Sequence, residues 1–412
     1  MYKLTLIIFI FSSFLLNCQT IDELKLLPIQ VDGNFGFIDY SGNMVIEPIY
    51  NDFEGYSEGV IGVGFEGNDG FINEEGEEIT GFIYDRVRYF SEGLAVVQLD
   101  KNIGFVNTKG EIIIPIKYNY AFPFSDGMAA FSNYIDADKY GYLNKKGEEI
   151  VAPQFDEAKL FKEGFAAVKV NGKYGFIDKK GKYIVEPKYD SVKDFFQGYA
   201  AVEKEGFWGF IDTNGVEIIP LKYNEVAPFI NGYAVVNEPS LNYGIINTLN
   251  KPVIPFDYYK LENFQEDMAL ATNDEEKMGF VNKNGELAIS AIYDYAYGFN
   301  EGLAPVAIRE GNDKNGNLNW GYINNKGKLI IPLKFDTAQP FIAGVALVGR
   351  RTGEFTYEYG YIDIQGNYIV KPRFSSATPF HKGVASVYDE NANPKKNYIN
   401  KQGELLYTIS EK

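Results

Sequence analysis

The chain has 412 residues, with 39 Lys and Arg against 56 Asp and Glu and a formal net charge of −17. That balance excludes a nucleic-acid binder, which needs a basic footprint. One Cys excludes an internal disulfide framework and a Cys-based zinc site, and one His excludes multi-His metal centres. A hydrophobic content of 45% is too high for a disordered chain, and the length predicts two or three domains unless the chain is a repeat array.

Residues 1–17 read as an export signal. Lys3 is their only charge, and the apolar run from Leu4 to Leu16 is broken only by Thr5, Ser12 and Ser13. At about 13 residues the run is too short to span a bilayer and fits a signal-peptide core. The single cysteine follows it in the order Leu15-Leu16-Asn17-Cys18. This resembles the lipobox of bacterial lipoproteins, in which the cysteine is lipidated and becomes the mature N-terminus; Asn17 departs from it, standing where that family has a small residue. The resemblance implies a signal at 1–17, a short tether at 18–24 and a chain held at a membrane of the bacterial cell envelope by a lipid on Cys18. Plain secretion is the alternative.

From about residue 25 to 412 one unit recurs eleven times, at spacings of 34 to 42 residues. Its anchor is Gly-aromatic-Ile-Asp/Asn, with the acid or amide at Asp39, Asn73, Asn107, Asn144, Asp178, Asp212, Asn247, Asn282, Asn324, Asp363 and Asn400. Three positions later comes Gly, as in Gly42 and Gly215, or Asn250 in one unit. Gly and Asn best tolerate positive φ, so Asp/Asn-x-x-Gly between two apolar runs predicts a hairpin turn. An aromatic follows eleven positions after the Asp/Asn (Tyr50 to Phe374) and another at seventeen (Tyr56 to Phe380). A proline often closes the second strand, as Pro187, Pro220 and Pro332 do, where a missing donor is tolerated.

One unit therefore reads as a three-stranded β-meander, with no helical period in any segment. A meander of ~34 residues cannot bury enough surface alone, so neighbours must share a core. The motif resembles the WG (KWG) repeat family of exported bacterial proteins, most fully at Trp208-Gly209 and Trp320-Gly321. Tyr replaces the Trp at Tyr140, Tyr174, Tyr243 and Tyr359, and Asp69, Ile103 and Met278 depart from it. The resemblance implies structure and brings no catalytic residues. Three strands and eleven units favour an open, curved or superhelical β-array, with one or more closed propeller-like rings as the alternative.

Length variation falls in the loop between the first and second strands. Val306 to Gly321, Val348 to Gly360 and Val387 to Asn397 are long in the C-terminal third, and Phe131 to Gly141 is the fourth. Such insertions map to one face of a repeat protein, often the binding face. They make Arg309, Asp313, Trp320, Arg350, Arg351, Tyr357 and Tyr359 the candidate binding residues, because Arg and aromatics are enriched at recognition sites. Unconstrained hairpin loops are the plainer reading. Asp313 to Asn317 lacks the Gly placement and terminal Glu of a calcium loop, the sequence names no base-orienting group for a catalytic His381, and Trp208 and Trp320 suit packing better than sugar stacking.

The sequence thus predicts no enzyme, no cofactor and no nucleic-acid partner. The expectation is a cell-envelope lipoprotein whose repeat scaffold binds a protein or polysaccharide partner. The alternative is an exported carbohydrate-active hydrolase with two facing carboxylates.

Overall fold

The computed structural model describes residues 25–133, 139–311 and 316–409; the leader, the tether, Cys18 and Asp313 lie outside these residues. Every regular element among them is a β-strand, and the strands form eleven antiparallel sheets, eight four-stranded and three three-stranded. They divide into two compact units, one over residues 25–161 with 179–181, the other over 162–178 with 182–409.

The sheet over Ser191–Val192, Tyr199–Lys204, Phe207–Asp212 and Glu217–Tyr223 serves as the type example. It corrects the three-stranded expectation. The two-residue strand Ser191–Val192, just after the Tyr-Asp bend, pairs with Glu203 and Val202. Two residues carry no periodicity, so a pattern search passes over them. Four antiparallel strands make a blade of the β-propeller type, the alternative architecture, and remove the strand count from which the open array was argued.

The predicted turn forms as expected. Asp212 Oδ1 accepts the amides of Asn214 and Val216, both at 2.9 Å, and Gly215 donates to the Asp212 carbonyl with φ +76°. The Gly of the Trp-Gly pair has a different cause. Opposite it the last strand bulges, pairing Tyr223 with Trp208 but Ile219 with Phe210. The extra residues, Pro220 among them, fold over Gly209, where a Cβ would lie 2.4 Å from the Ile219 carbonyl oxygen. Only glycine fits under that bulge.

The recurrent aromatics fill the core between successive sheets. Phe210, Ile219 and Tyr223 of the type blade share one cluster with Val226, Phe229, Val236 and Ile246 of the next. The aromatic two places before the Asp/Asn meets the one seventeen places after it, as in Phe210–Phe229 (4.6 Å), Phe280–Phe299 (4.7 Å) and Tyr361–Phe380 (4.6 Å). Each such pair contributes about 0.5–1.5 kcal/mol beyond its buried area. The sheet of the last copy stops at three strands, Ser376–Ala377, Val384–Tyr388 and Lys396–Asn400.

Candidate functional site

The residue twelve places after the turn Asp/Asn is Asp or Asn in eight units, among them Asn51, Asp190, Asp294 and Asp336. In four of these units the side chain accepts an amide fifteen residues on, at the hairpin between the second and third strands. Asn51 takes Glu66 N (3.0 Å), Asp190 takes Glu205 N (2.9 Å), Asp294 takes Arg309 N (2.9 Å) and Asp336 takes Arg351 N (2.8 Å). These side chains tie the bend to the hairpin, so their recurrence is structural.

At Tyr259 the tie is replaced by an exposed aromatic, 48% accessible. The hairpin it would have held closes on its own Asn273, whose Oδ1 accepts Lys277 N at 2.8 Å. Beside it opens a cleft of about 960 Å³. One wall carries Tyr259, Lys260 and the acidic turn Asp274-Glu275-Glu276, the other Asp294, Tyr295, Ile308 and Arg309. Tyr295 is 42% exposed, and the Arg309 guanidinium lies 5.9 Å from its ring centre.

Asp294 sits deep in this cleft with Lys277 Nζ at 2.7 Å and Arg309 Nε at 3.8 Å. Burial acts to raise its pKa, but the Lys277 hydrogen bond, the Arg309 amide and both positive charges outweigh it and hold the carboxyl below the usual range. It is a neutralised ion-pair centre and lacks the raised pKa of a general acid.

Of the residues named from loop length, Arg309 lines the cleft and also a second recess of about 130 Å³, together with Asn317, Asp336, Arg351 and Tyr357. Arg351 donates to Asn317 Oδ1 and to the Glu354 carbonyl (2.7 Å), with its guanidinium 6.0 Å from the Tyr357 ring. Arg350 turns away to Glu358 at 2.5 Å. Trp320 is 6% exposed and stacks on Tyr297 with ring centres 5.4 Å apart, so it packs. Tyr359 packs against the core over Tyr361 and Phe374, and that burial raises its hydroxyl pKa. Trp208 likewise packs against a blade core, beneath Lys193 at 5.3 Å. The long loops thus supply Arg309, Arg351 and Tyr357 to neighbouring recesses, while Trp320, Arg350 and Tyr359 stay apart. Tyr259 and Tyr295 were missed. The signal for Tyr259 was its departure from Asp/Asn at a fixed repeat position, which loop lengths do not reveal.

The hydrolase alternative needs paired carboxylates. Glu54 and Asp69 are both raised above the usual carboxylate range, chiefly by desolvation; the Asp69 charge adds to the shift of Glu54, and Arg86 opposes the shift in each. Asp69 Oδ2 is already engaged by the Val87 amide at 3.1 Å.

Solved structures align with the chain at 10–13% identity and TM-scores of 0.22–0.42. A eukaryotic initiation factor aligns over 76% of this chain and 95% of its own, with 12% identity and TM-score 0.42. BamB from Moraxella catarrhalis aligns over 89% and 92%, with 11% identity and TM-score 0.28. The computationally designed Ika8 protein aligns over 66% and 94%, with 12% identity and TM-score 0.31. No curated protein matches the sequence. The family model described as "WG containing repeat" matches ten segments: 35–68, 70–102, 103–133, 140–174, 174–206, 208–238, 243–275, 278–310, 320–349 and 359–391. The Trp/Tyr-Gly pair under its bulge, the Asp/Asn turn and the paired core aromatics recur through these segments, and the chain belongs to the WG-containing repeat family.

Proposed function

We propose that the protein is a non-catalytic binding scaffold of the bacterial cell envelope, exported by residues 1–17 and anchored through a lipid on Cys18, with the Tyr259–Arg309 cleft as its partner site. The observation that carries this reading is the tyrosine at 259. A repeat that holds Asp or Asn at this position in eight units here exposes an aromatic beside a cleft of about 960 Å³. That volume lies in the range of ligand-binding clefts. The acid within the cleft, Asp294, is held ionised by two cations, which suits recognition better than proton transfer. The charge of −17 favours solubility of an exported domain.

Two experiments test the reading. Mass spectrometry of the mature N-terminus is expected to find a diacylglyceryl-modified Cys18; an unmodified N-terminus elsewhere overturns the anchor. A photo-crosslinking residue at Ile308 is expected to trap an envelope component in intact cells, while one at exposed Ile83 traps none. Equal labelling at both positions, or a turnover by the purified protein that Asp294→Asn abolishes, overturns the binding scaffold.

A further inference from the structure

We infer that the cleft takes an extended, neutral polysaccharide chain; this rests on the cleft being a binding site and names its ligand class. Three observations carry it. Tyr259 and Tyr295 are 48% and 42% exposed at the cleft, offering aromatic surface on which the C–H faces of pyranose rings stack. The charged lining nearly cancels: Asp274, Glu275, Glu276 and Asp294 stand against Lys260, Lys277 and Arg309, a balance of 3 − 4 = −1. Carboxylates alone accept and ammonium or guanidinium groups alone donate, so this mixed wall suits hydroxyls, which do both, better than a polyanion or a polycation. Arg309 is shared with the recess formed by Asn317, Arg351 and Tyr357, which extends the lining beyond the cleft and suits a chain better than a single sugar.

An extended peptide is disfavoured by the same lining. Peptide addition needs a free strand edge long enough to pair along, and the edge strands at the cleft, Lys260–Leu261 and Tyr295–Ala296, have two residues each.

The test is affinity electrophoresis of the full-length chain in mild detergent, through gels containing dextran, laminarin, galactomannan or polygalacturonate. At least one of the three neutral polymers is expected to retard the protein, and polygalacturonate is not. Tyr259→Ala and Tyr295→Ala are each expected to weaken that retardation at least tenfold, Tyr259→Phe to keep most of it, and Ile83→Ala to leave it unchanged. Both tyrosines are exposed, and an unaltered melting curve for each variant separates lost binding from lost folding. Retardation by none of the neutral polymers, retardation by polygalacturonate alone, or retardation that survives both alanine variants overturns the inference. A protein trapped from Ile308 with no glycan retardation overturns it too, while leaving the scaffold reading intact.

Discussion

The carboxylate of Glu301 accepts the backbone amides of Ala343 (2.6 Å) and Gly344 (2.9 Å), one repeat further on. Glu301 itself is left-handed, with φ +54°. The arrangement recurs: Glu58 accepts from Gly93, Glu163 from Gln197 and Gly198, Gln197 from Asn231, and Glu266 from Gly302. In these blades the turn is thereby pinned to its neighbour's. Gln fills this role at Gln197, so Glu301→Gln is expected to be neutral. Glu301→Ala leaves two turn amides to water and is expected to cost about 1 kcal/mol, roughly 2–4 °C in melting temperature. Calorimetry of the two variants checks this; equal losses would show that the side chain does not bridge the turns.

Gly209 and Gly232 separate close packing from backbone conformation. A Cβ on Gly209 would lie 2.4 Å from the Ile219 carbonyl oxygen, whereas Gly232, at φ +84°, has open space around its Cβ position. Gly232→Ala is expected to cost about 1–2 kcal/mol, from the left-handed backbone alone. Gly209→Ala must also displace the bulge, and is expected to cost clearly more. Urea unfolding of both variants decides it, and the reverse order would contradict the bulge explanation.

Two buried tyrosines make a matched pair. Tyr322 donates its hydroxyl to the Gln339 carbonyl at 2.8 Å, and burial pushes its pKa far up. The Tyr118 hydroxyl is buried with no hydrogen-bond partner among the described residues. Tyr322→Phe strands a carbonyl and is expected to destabilise by about 1–2 kcal/mol. Tyr118→Phe removes an unsatisfied group and is expected to be neutral or stabilising. Thermal melts of the two single variants make the comparison.

Asp294 links the cleft to pH. Its folded pKa lies below the usual carboxylate range, so its contribution is present above the unfolded value, about 3.9, and is lost as pH falls through the lower folded value. Asp294→Asn keeps an acceptor for the Arg309 amide but removes the charge facing Lys277. The stability gap between wild type and Asp294→Asn is expected at pH 7 and should shrink below pH 4. A gap as large at pH 3 as at pH 7 would contradict the ion-pair account.

The parts of the fold legible in the sequence were those repeated in phase. The Asp212 turn, the glycine after it and the paired aromatics such as Phe210 and Phe229 each recur, so ten copies average away local noise. The short strand Ser191–Val192 was not legible, because two residues carry no period and its pairing with Glu203 and Val202 is set by tertiary contact. The candidate site was half legible. Loop length led to Arg309 and Arg351, but also to Trp320, whose indole turns inward onto Tyr297. Length says where chain is added and nothing about which way a side chain faces. Tyr259 lay at a position of constant length and showed itself only as a break in chemical pattern.

On the proposed reading, Tyr259 exchanges a structural tie for a binding surface. The most direct measurement restores the tie: Tyr259→Asp, assayed for melting temperature and for photo-crosslinking from Ile308 in intact cells. The melting temperature is expected to equal or exceed that of wild type, because the aspartate can cap its own hairpin as Asp190 does, and the crosslinked partner is expected to be lost. Undiminished crosslinking in a stably folded Tyr259→Asp protein would contradict it.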